Sequence, residues 1–183
     1  MLEKRSFYIN GKWISPSKSN DFEVINPSNE EAFAVISLGS AEDTNLAVEA
    51  AKIAFVKWKE TSKEERINLL EKLLKIYKKR FNEMSEAMSK EMGAPIDFAT
   101  SVHTASGQSH LEDFILRLKN FKFEEYFNTK SNNYISHEPI GVCGLITPWN
   151  WPINQIALKV FPAFATGCTM VLKPPEIAPI SPM

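Results

Sequence analysis

The sequence holds little of what marks several protein classes. Two cysteines in 183 residues are too few for a disulfide scaffold and point to a reducing compartment, so the chain reads as cytoplasmic. The three histidines, His103, His110 and His137, show no metal-ligand spacing with those cysteines, and no metal site is expected. Lysine plus arginine number 21 against 22 aspartate plus glutamate, a formal net charge of −1. That balance supplies no global attraction to nucleic acid or to an anionic membrane surface. No apolar run approaches the roughly 20 residues of a membrane span. The start, Met1 to Tyr8, lacks the apolar core of a signal peptide. No internal repeat, low-complexity tract or Gly-x-Gly-x-x-Gly motif occurs.

What is present is an ordinary globular composition, 44% hydrophobic and 23% charged, in a chain long enough to bury a sizeable core. Asn10-Gly11 between Phe7 and Ile14 is a strong hairpin signal. Short strands follow at Phe22 to Ile25 and Phe33 to Leu38. Ser40 with Asp43, and Ser62 with Glu65, have the spacing of capping boxes that open helices. The first helix carries Ala47, Ala50, Ala51, Ala54, Phe55 and Trp58 as an amphipathic stripe. The second is predicted to run unbroken to Gly93, with Ile67, Leu70, Leu73, Leu74, Tyr77, Phe81, Met84 and Met88 as its apolar stripe. Pro95 opens a third helix, about Ile96 to Lys119. Phe121 to Ser136 then alternates like a two-stranded excursion around a polar tip, Lys130 to Asn133.

The stretch from Pro139 to Glu176 organises the rest. Gly141 to Ile146 is nearly all apolar, which predicts a strand buried on both faces. Ile153, Ile156, Ala157, Val160, Phe161 and Phe164 recur at helical spacing. Pro162 should kink or interrupt that helix, and Gly167 is placed to cap it. Thr169 to Lys173 is the second strand, stopped by Pro174-Pro175. Strand, helix and strand outline a βαβ unit, and open parallel sheets bind ligands at the carboxyl ends of their strands. Those ends carry Asn150 on one side and Lys173 with Glu176 on the other.

His137-Glu-Pro-Ile-Gly-Val-Cys-Gly-Leu-Ile-Thr-Pro-Trp-Asn-Trp-Pro152 and Leu172-Lys-Pro-Pro-Glu176 closely resemble the NAD(P)-dependent aldehyde dehydrogenase superfamily. The Pro-Trp-Asn-aromatic-Pro core, followed at this spacing by Lys-Pro-x-Glu, is a specific signal. The resemblance runs through the whole chain, from Phe7-Tyr-Ile-Asn-Gly-Lys-Trp13 and Val24-Ile-Asn-Pro27 onward. Members of that family are much longer, so the chain resembles their N-terminal part. The implied fold class is α/β: an incomplete Rossmann-like NAD-binding domain with N-terminal β-hairpins, long helices and a β-arm. Residues 1–120 and 137–183 would form part of the NAD-binding domain, 121–136 an oligomerisation arm, and the catalytic domain would be absent.

Asn150 is the candidate catalytic residue. A side-chain amide can donate a hydrogen bond to a developing oxyanion without transferring a proton, typically worth ~10²–10³ in rate. The resemblance gives Asn150 that role beside the nucleophilic cysteine. On spacing alone, an asparagine before a helix is also a favoured N-cap, and both readings stay open. Lys173 and Glu176 have the chemistry to meet ribose hydroxyls, the role the family gives them at the adenosine ribose; without the motif they would read as a surface i, i+3 pair. A carboxylate would repel a 2′-phosphate, so NAD is expected over NADP. By resemblance, Ile146, Thr147, Pro148 and Trp149 line the nicotinamide half of the cleft, and Pro175 touches the adenosine side through its main chain. Trp151 and Gln155 lie near a substrate pocket by the same reasoning, without naming an aldehyde.

Cys143 lies within the first strand and Cys168 just before the second. Neither falls in the family's nucleophile motif, and that motif, the general-base glutamate and the Gly-Ser-x-x-x-Gly turn are all missing. The expected function is therefore that of an N-terminal fragment of an NAD-dependent aldehyde dehydrogenase, inactive alone. The full-length enzyme would be a homo-oligomer acting on a small-molecule aldehyde, with no nucleic-acid or membrane partner. The alternative is a non-catalytic module docking through the arm onto a full-length dehydrogenase.

Overall fold

The computed structural model describes residues 1–128 and 132–183. Of the predicted polar tip, Lys130 and Ser131 lie outside the described residues.

Strand β1 (Leu2–Lys4) runs parallel to β5 (Glu31–Ser37), which pairs antiparallel with β4 (Asp21–Asn26). Val24, Ala34 and Ile36 form the buried face of that sheet. Strands β2 (Phe7–Ile9) and β3 (Lys12–Ile14) make the expected hairpin. Asn10 (φ 53) and Gly11 (φ 75) both take the left-handed conformation that a two-residue turn of this hand needs and that these residue types tolerate.

Helix α1 (Ala41–Trp58) starts at a complete capping box, with Ser40 accepting from the Asp43 amide and Asp43 accepting from the Ser40 amide. Helix α2 (Lys63–Lys79) repeats the device with Ser62 and Glu65. The predicted single helix to Gly93 is instead two. The chain breaks at Arg80 (φ −100, ψ 16), and α3 (Phe81–Met92) follows. An unbroken helix of that length would extend about 45 Å, carrying its far end past the core. The break turns Met88 back onto Tyr77, Ala99 and Ile153, which are buried together. Leu73 stays exposed at 38% and is no part of the stripe that packs.

The third predicted helix forms in three joined pieces: α4 (Ile96–Phe98), a π-helical stretch (Ala99–Thr104) and α5 (Ala105–Asn120). The widened turn sets Thr104 where its carbonyl accepts from the Tyr77 hydroxyl at 2.8 Å. Strands β6 (Glu124–Tyr126) and β7 (Tyr134–Ser136) form the expected antiparallel excursion.

The βαβ unit is present. Strand β8 (Val142–Ile146) pairs parallel with β9 (Thr169–Lys173), and α6 (Pro152–Ala165) connects them. Leu70 of α2, Leu111, Ile115 and Leu118 of α5, and Ala157, Phe161 and Ala165 of α6 make the main core. Each fully buried leucine here contributes roughly 2 kcal/mol by area.

Two expectations for this unit need correcting. Strand β8 is not buried on both faces, since Gly144 is exposed and Ile146 is 72% exposed. Helices α1 and α6 pack chiefly on β9, which leaves the end of β8 open. Helix α6 is also not interrupted at Pro162 but runs on to Ala165. The ring removes the N–H that would reach the Leu158 carbonyl, and Leu158 is on the exposed side, where water can satisfy that oxygen. At the far end Gly167 (φ 82) takes the left-handed position. Its N–H donates to the Phe164 carbonyl at 3.1 Å and that of Cys168 to Ala163 at 2.9 Å, a full Schellman closure.

Candidate functional site

Parallel register brings the two predicted rims together. Ile146, the last residue of β8, pairs with Lys173, the last of β9. The Thr147 N–H then donates to the Lys173 carbonyl at 3.4 Å. The loops that leave this common edge carry Pro148, Trp149 and Asn150 on one side and Pro174 to Glu176 on the other.

Asn150 is exposed. It does not cap α6: the N-cap position is Trp151, no side chain bonds the first turn, and Pro152 opens the helix. A proline at that position needs no amide partner, so the asparagine has no capping task. Its amide bonds to none of the described residues.

On the second rim, the Lys173 ammonium donates to Glu176 at 2.7 Å. That hydrogen bond holds the Glu176 carboxyl below the usual carboxylate range. Both side chains are about half exposed, 61% and 46%, so the pair is available to a ligand. Its own contribution to stability is small, since exposed ion pairs contribute at most about 1 kcal/mol.

The remaining rim residues differ in what they present. Ile146 and Trp149 expose large apolar surfaces and Pro148 is exposed. Thr147 is buried, and its hydroxyl has no hydrogen-bond partner among the described residues. Pro175 is buried as well, so a ligand would meet its neighbours before it. Trp151 packs on buried His103 with ring centroids 5.5 Å apart, and among the described residues the indole N–H and the His103 Nδ1 both lack a partner. Burial pushes the His103 imidazole down from its usual pKa. One turn along α6, Asn154 Oδ1 lies 2.7 Å from His110 Nε2. A cleft of about 310 Å³ lined by Phe121, Phe123, Ser136, His137, Glu138 and Thr166 lies at the base of the arm and contains none of the predicted site residues.

Sequence reasoning missed the group that fixes the segment beyond Glu176. Glu91 of α3 is 4% exposed and accepts from the Ile180 N–H at 2.6 Å, from the Ser181 N–H and from the Ser181 hydroxyl. Nothing local in the sequence marks Glu91, whose partners are about 90 residues away.

A parallel pair with a connecting helix makes the architecture mixed α/β, with polar groups beyond both strand ends. Comparison with known proteins makes the class specific. The sequence model of the Aldehyde dehydrogenase family matches residues 13–183. A crystal structure of an aldehyde dehydrogenase from Bartonella henselae superposes with TM-score 0.98 and 55% identity, covering 100% of this chain and 39% of that one. Aldehyde dehydrogenase C from Pseudomonas syringae, a point variant in complex with NAD+ and octanal, superposes with TM-score 0.93 and 40% identity over 97% of this chain and 36% of that one. A curated relative, 3-succinoylsemialdehyde-pyridine dehydrogenase from a Pseudomonas species, is 47% identical over 99% of this chain and 38% of its own length. The chain belongs to the aldehyde dehydrogenase family, and it spans under two-fifths of the length of these relatives. Among the described residues no helix is long and apolar enough to cross a membrane.

Proposed function

We propose that this chain supplies the coenzyme-side part of an NAD-dependent aldehyde dehydrogenase, which oxidises an aldehyde to a carboxylic acid. The observation that carries the reading is the Ile146–Lys173 pairing, which sets an unengaged amide and a lysine–carboxylate couple on adjacent strand ends. In this reading Asn150 donates to the oxyanion that develops on the aldehyde carbon. Glu176 accepts from the adenosine ribose hydroxyls, and Lys173 donates there and keeps the carboxylate ionised. That fixed negative charge favours NAD over NADP. Ile146, Thr147, Pro148 and Trp149 flank the nicotinamide half, and Pro175 contributes main-chain atoms alone. NAD, when bound, accepts the hydride. Residues 1–120 and 137–183 then count as part of the coenzyme domain and 121–136 as the arm.

Neither thiol of this chain fits the nucleophile in that scheme. Cys143 lies three residues before the end of β8, about 10 Å along the strand from the rim, and Cys168 is 4% exposed at the start of β9. The attacking thiolate and the base must come from elsewhere, and the chain alone is expected to be inactive. The reducing-compartment argument from two free cysteines supports a cytoplasmic setting. The exposed rings of Tyr126, Phe127 and Tyr134 on the arm support a homo-oligomer. They equally suit the second reading, a module that docks onto a full-length dehydrogenase. Gel filtration with such a partner separates the two, since co-elution requires docking.

The test grafts this chain in place of the matching segment of the Bartonella henselae enzyme. The chimera should oxidise aldehydes with NAD. Asn150→Ala should lower kcat by ~10²–10³ and leave the melting temperature unchanged, since the amide caps nothing. Glu176→Gln should raise KM for NAD and improve the use of NADP. An Asn150→Ala chimera with full kcat refutes the oxyanion role.

A further inference from the structure

The loop that carries Asn150 takes its position from its two flanks. Pro148, Trp149 and Asn150 are all exposed, and the Asn150 amide bonds to none of the described residues. A catalytic group displaced by about 1 Å can cost ~10² in rate, so whatever fixes this loop bears on the chemistry. On one flank the Thr147 N–H donates to the Lys173 carbonyl at 3.4 Å. On the other the chain enters the first turn of α6. There the Gln155 N–H donates to the Trp151 carbonyl at 3.0 Å, and Pro152 is fully buried.

That first turn is held from one side of the neighbouring helix. His103, Gly107 and His110 recur at i, i+4 and i+7, the spacing of one helical face. The His103 ring packs on Trp151 with centroids 5.5 Å apart and is backed edge-on by Phe98 at 5.1 Å. His110 Nε2 lies 2.7 Å from Asn154 Oδ1. An amide oxygen only accepts, so the imidazole donates. Between the two histidines, Gly107 admits α6 so closely that a Cβ there would stand 2.8 Å from Ile153 Cγ1. The contacts therefore fall on Trp151, Ile153 and Asn154, directly after Asn150. His103 is 6% exposed and lies in the π-helical stretch Ala99–Thr104. Such widened turns are rare and occur frequently at functional sites.

We propose that His103 and His110 are positioning residues that hold Asn150 against the aldehyde carbon, acting through Trp151 and Asn154. This role rests on the oxyanion function given to Asn150 above. The two histidines contribute differently. The Nδ1 atom of His103 has no partner among the described residues, so what His103 gives Trp151 is ring surface, which phenylalanine can supply. His110 gives Asn154 a donor, which glutamine can supply and alanine cannot. Lys173 and Glu176 bond to each other and His110 to Asn154, so the coenzyme rim is held independently and the affinity for NAD should not move.

The experiment is a mutant cycle with Asn150 in the chimera described above. His103→Ala and His110→Ala should each lower kcat by ~10-fold to ~10²-fold and leave KM for NAD unchanged. His103→Phe and His110→Gln should restore most of the loss. In an Asn150→Ala background neither alanine substitution should lower kcat further, because residues that act through one group are not additive. Hydrogen–deuterium exchange over residues 147–155 should rise in both alanine variants, a readout that needs no turnover. If an alanine variant fails to fold, leucine at that position, which fills the space without the ring or the donor, takes its place. Undiminished kcat in both variants, or an equal loss with and without Asn150, would overturn the positioning role, while a slow Asn150→Ala chimera leaves the oxyanion role standing. Full kcat in Asn150→Ala alone overturns both. Unchanged exchange in both variants overturns the positioning role even in a chimera without activity.

Discussion

Glu91 makes the stability of this fold depend on pH in an unusual direction. Burial raises its carboxyl from the ordinary 4.5 to about 7, while the Ser181 hydroxyl and the Ile180 and Ser181 amides pull the other way. A folded-state value above the unfolded one means that the protonated form suits the fold better. The contribution is complete below about pH 4.5 and is lost as pH rises through about 7. A rise from 4.5 to about 7 corresponds to about 3 kcal/mol, a large fraction of the 5–15 kcal/mol typical of a domain. The perturbation is Glu91→Gln, which keeps the shape and cannot titrate. The assay is urea unfolding from about pH 5 to about pH 8 for both proteins. The wild type should lose about 3 kcal/mol relative to the variant across that range. The same measurement bears on function, because Ile180 and Ser181 closely follow Glu176. Ionising Glu91 puts a charge in the buried site where α3 meets the segment that leaves the Lys173–Glu176 rim, and that desolvation cost is what opposes docking, since the three bonds themselves favour the charged form. Parallel pH profiles for wild type and variant would refute the reasoning, for they would mean that the three donors fully offset the desolvation of the charge.

Gly107 lies where α5 crosses α2 and α6. A Cβ there would meet the Tyr77 hydroxyl and stand 2.8 Å from Ile153 Cγ1, so Gly107→Ala should lower the urea midpoint by a stability loss of about 1–3 kcal/mol. An unchanged midpoint would show that the crossing has slack. Asp43 accepts from the Ser17 and Ser40 amides, both at 2.8 Å, and these bonds, led by that of Ser40, lower its carboxyl to about 2. Its contribution is therefore present above the ordinary carboxylate range and lost as pH falls through about 2. Asp43→Asn should cost about 2 kcal/mol near neutral pH, read by thermal unfolding, and the difference should close in strong acid.

What was legible in this sequence divides by the range of the interaction behind it. Both capping boxes, the Asn10-Gly11 turn, the Gly167 closure and the βαβ outline rest on residues within a few positions of one another, and each can be read as a local rule. The rim is legible for the same reason. Asn150 and the Lys173–Glu176 couple sit at fixed short offsets from strand ends, and parallel pairing makes those ends, Ile146 and Lys173, neighbours. The break at Arg80 is of another kind. The apolar stripe from Ile67 to Met88 has no flaw at that point, and only the arrival of Ala99 and Ile153 as packing partners makes two helices better than one. The exposure of Ile146 likewise depends on which strand the helices choose to cover. Glu91 and Arg66 are the extreme cases. The partners of Glu91 come from about 90 residues away, and the Ala165 carbonyl that Arg66 reaches lies 99 residues away, so a charged helix-face residue and a buried anchor look identical in sequence. Such contacts decide where the pieces dock, whereas the rim's chemistry is set by short-range offsets. A family motif can therefore identify the family while staying silent about what holds the segment beyond Glu176 in place.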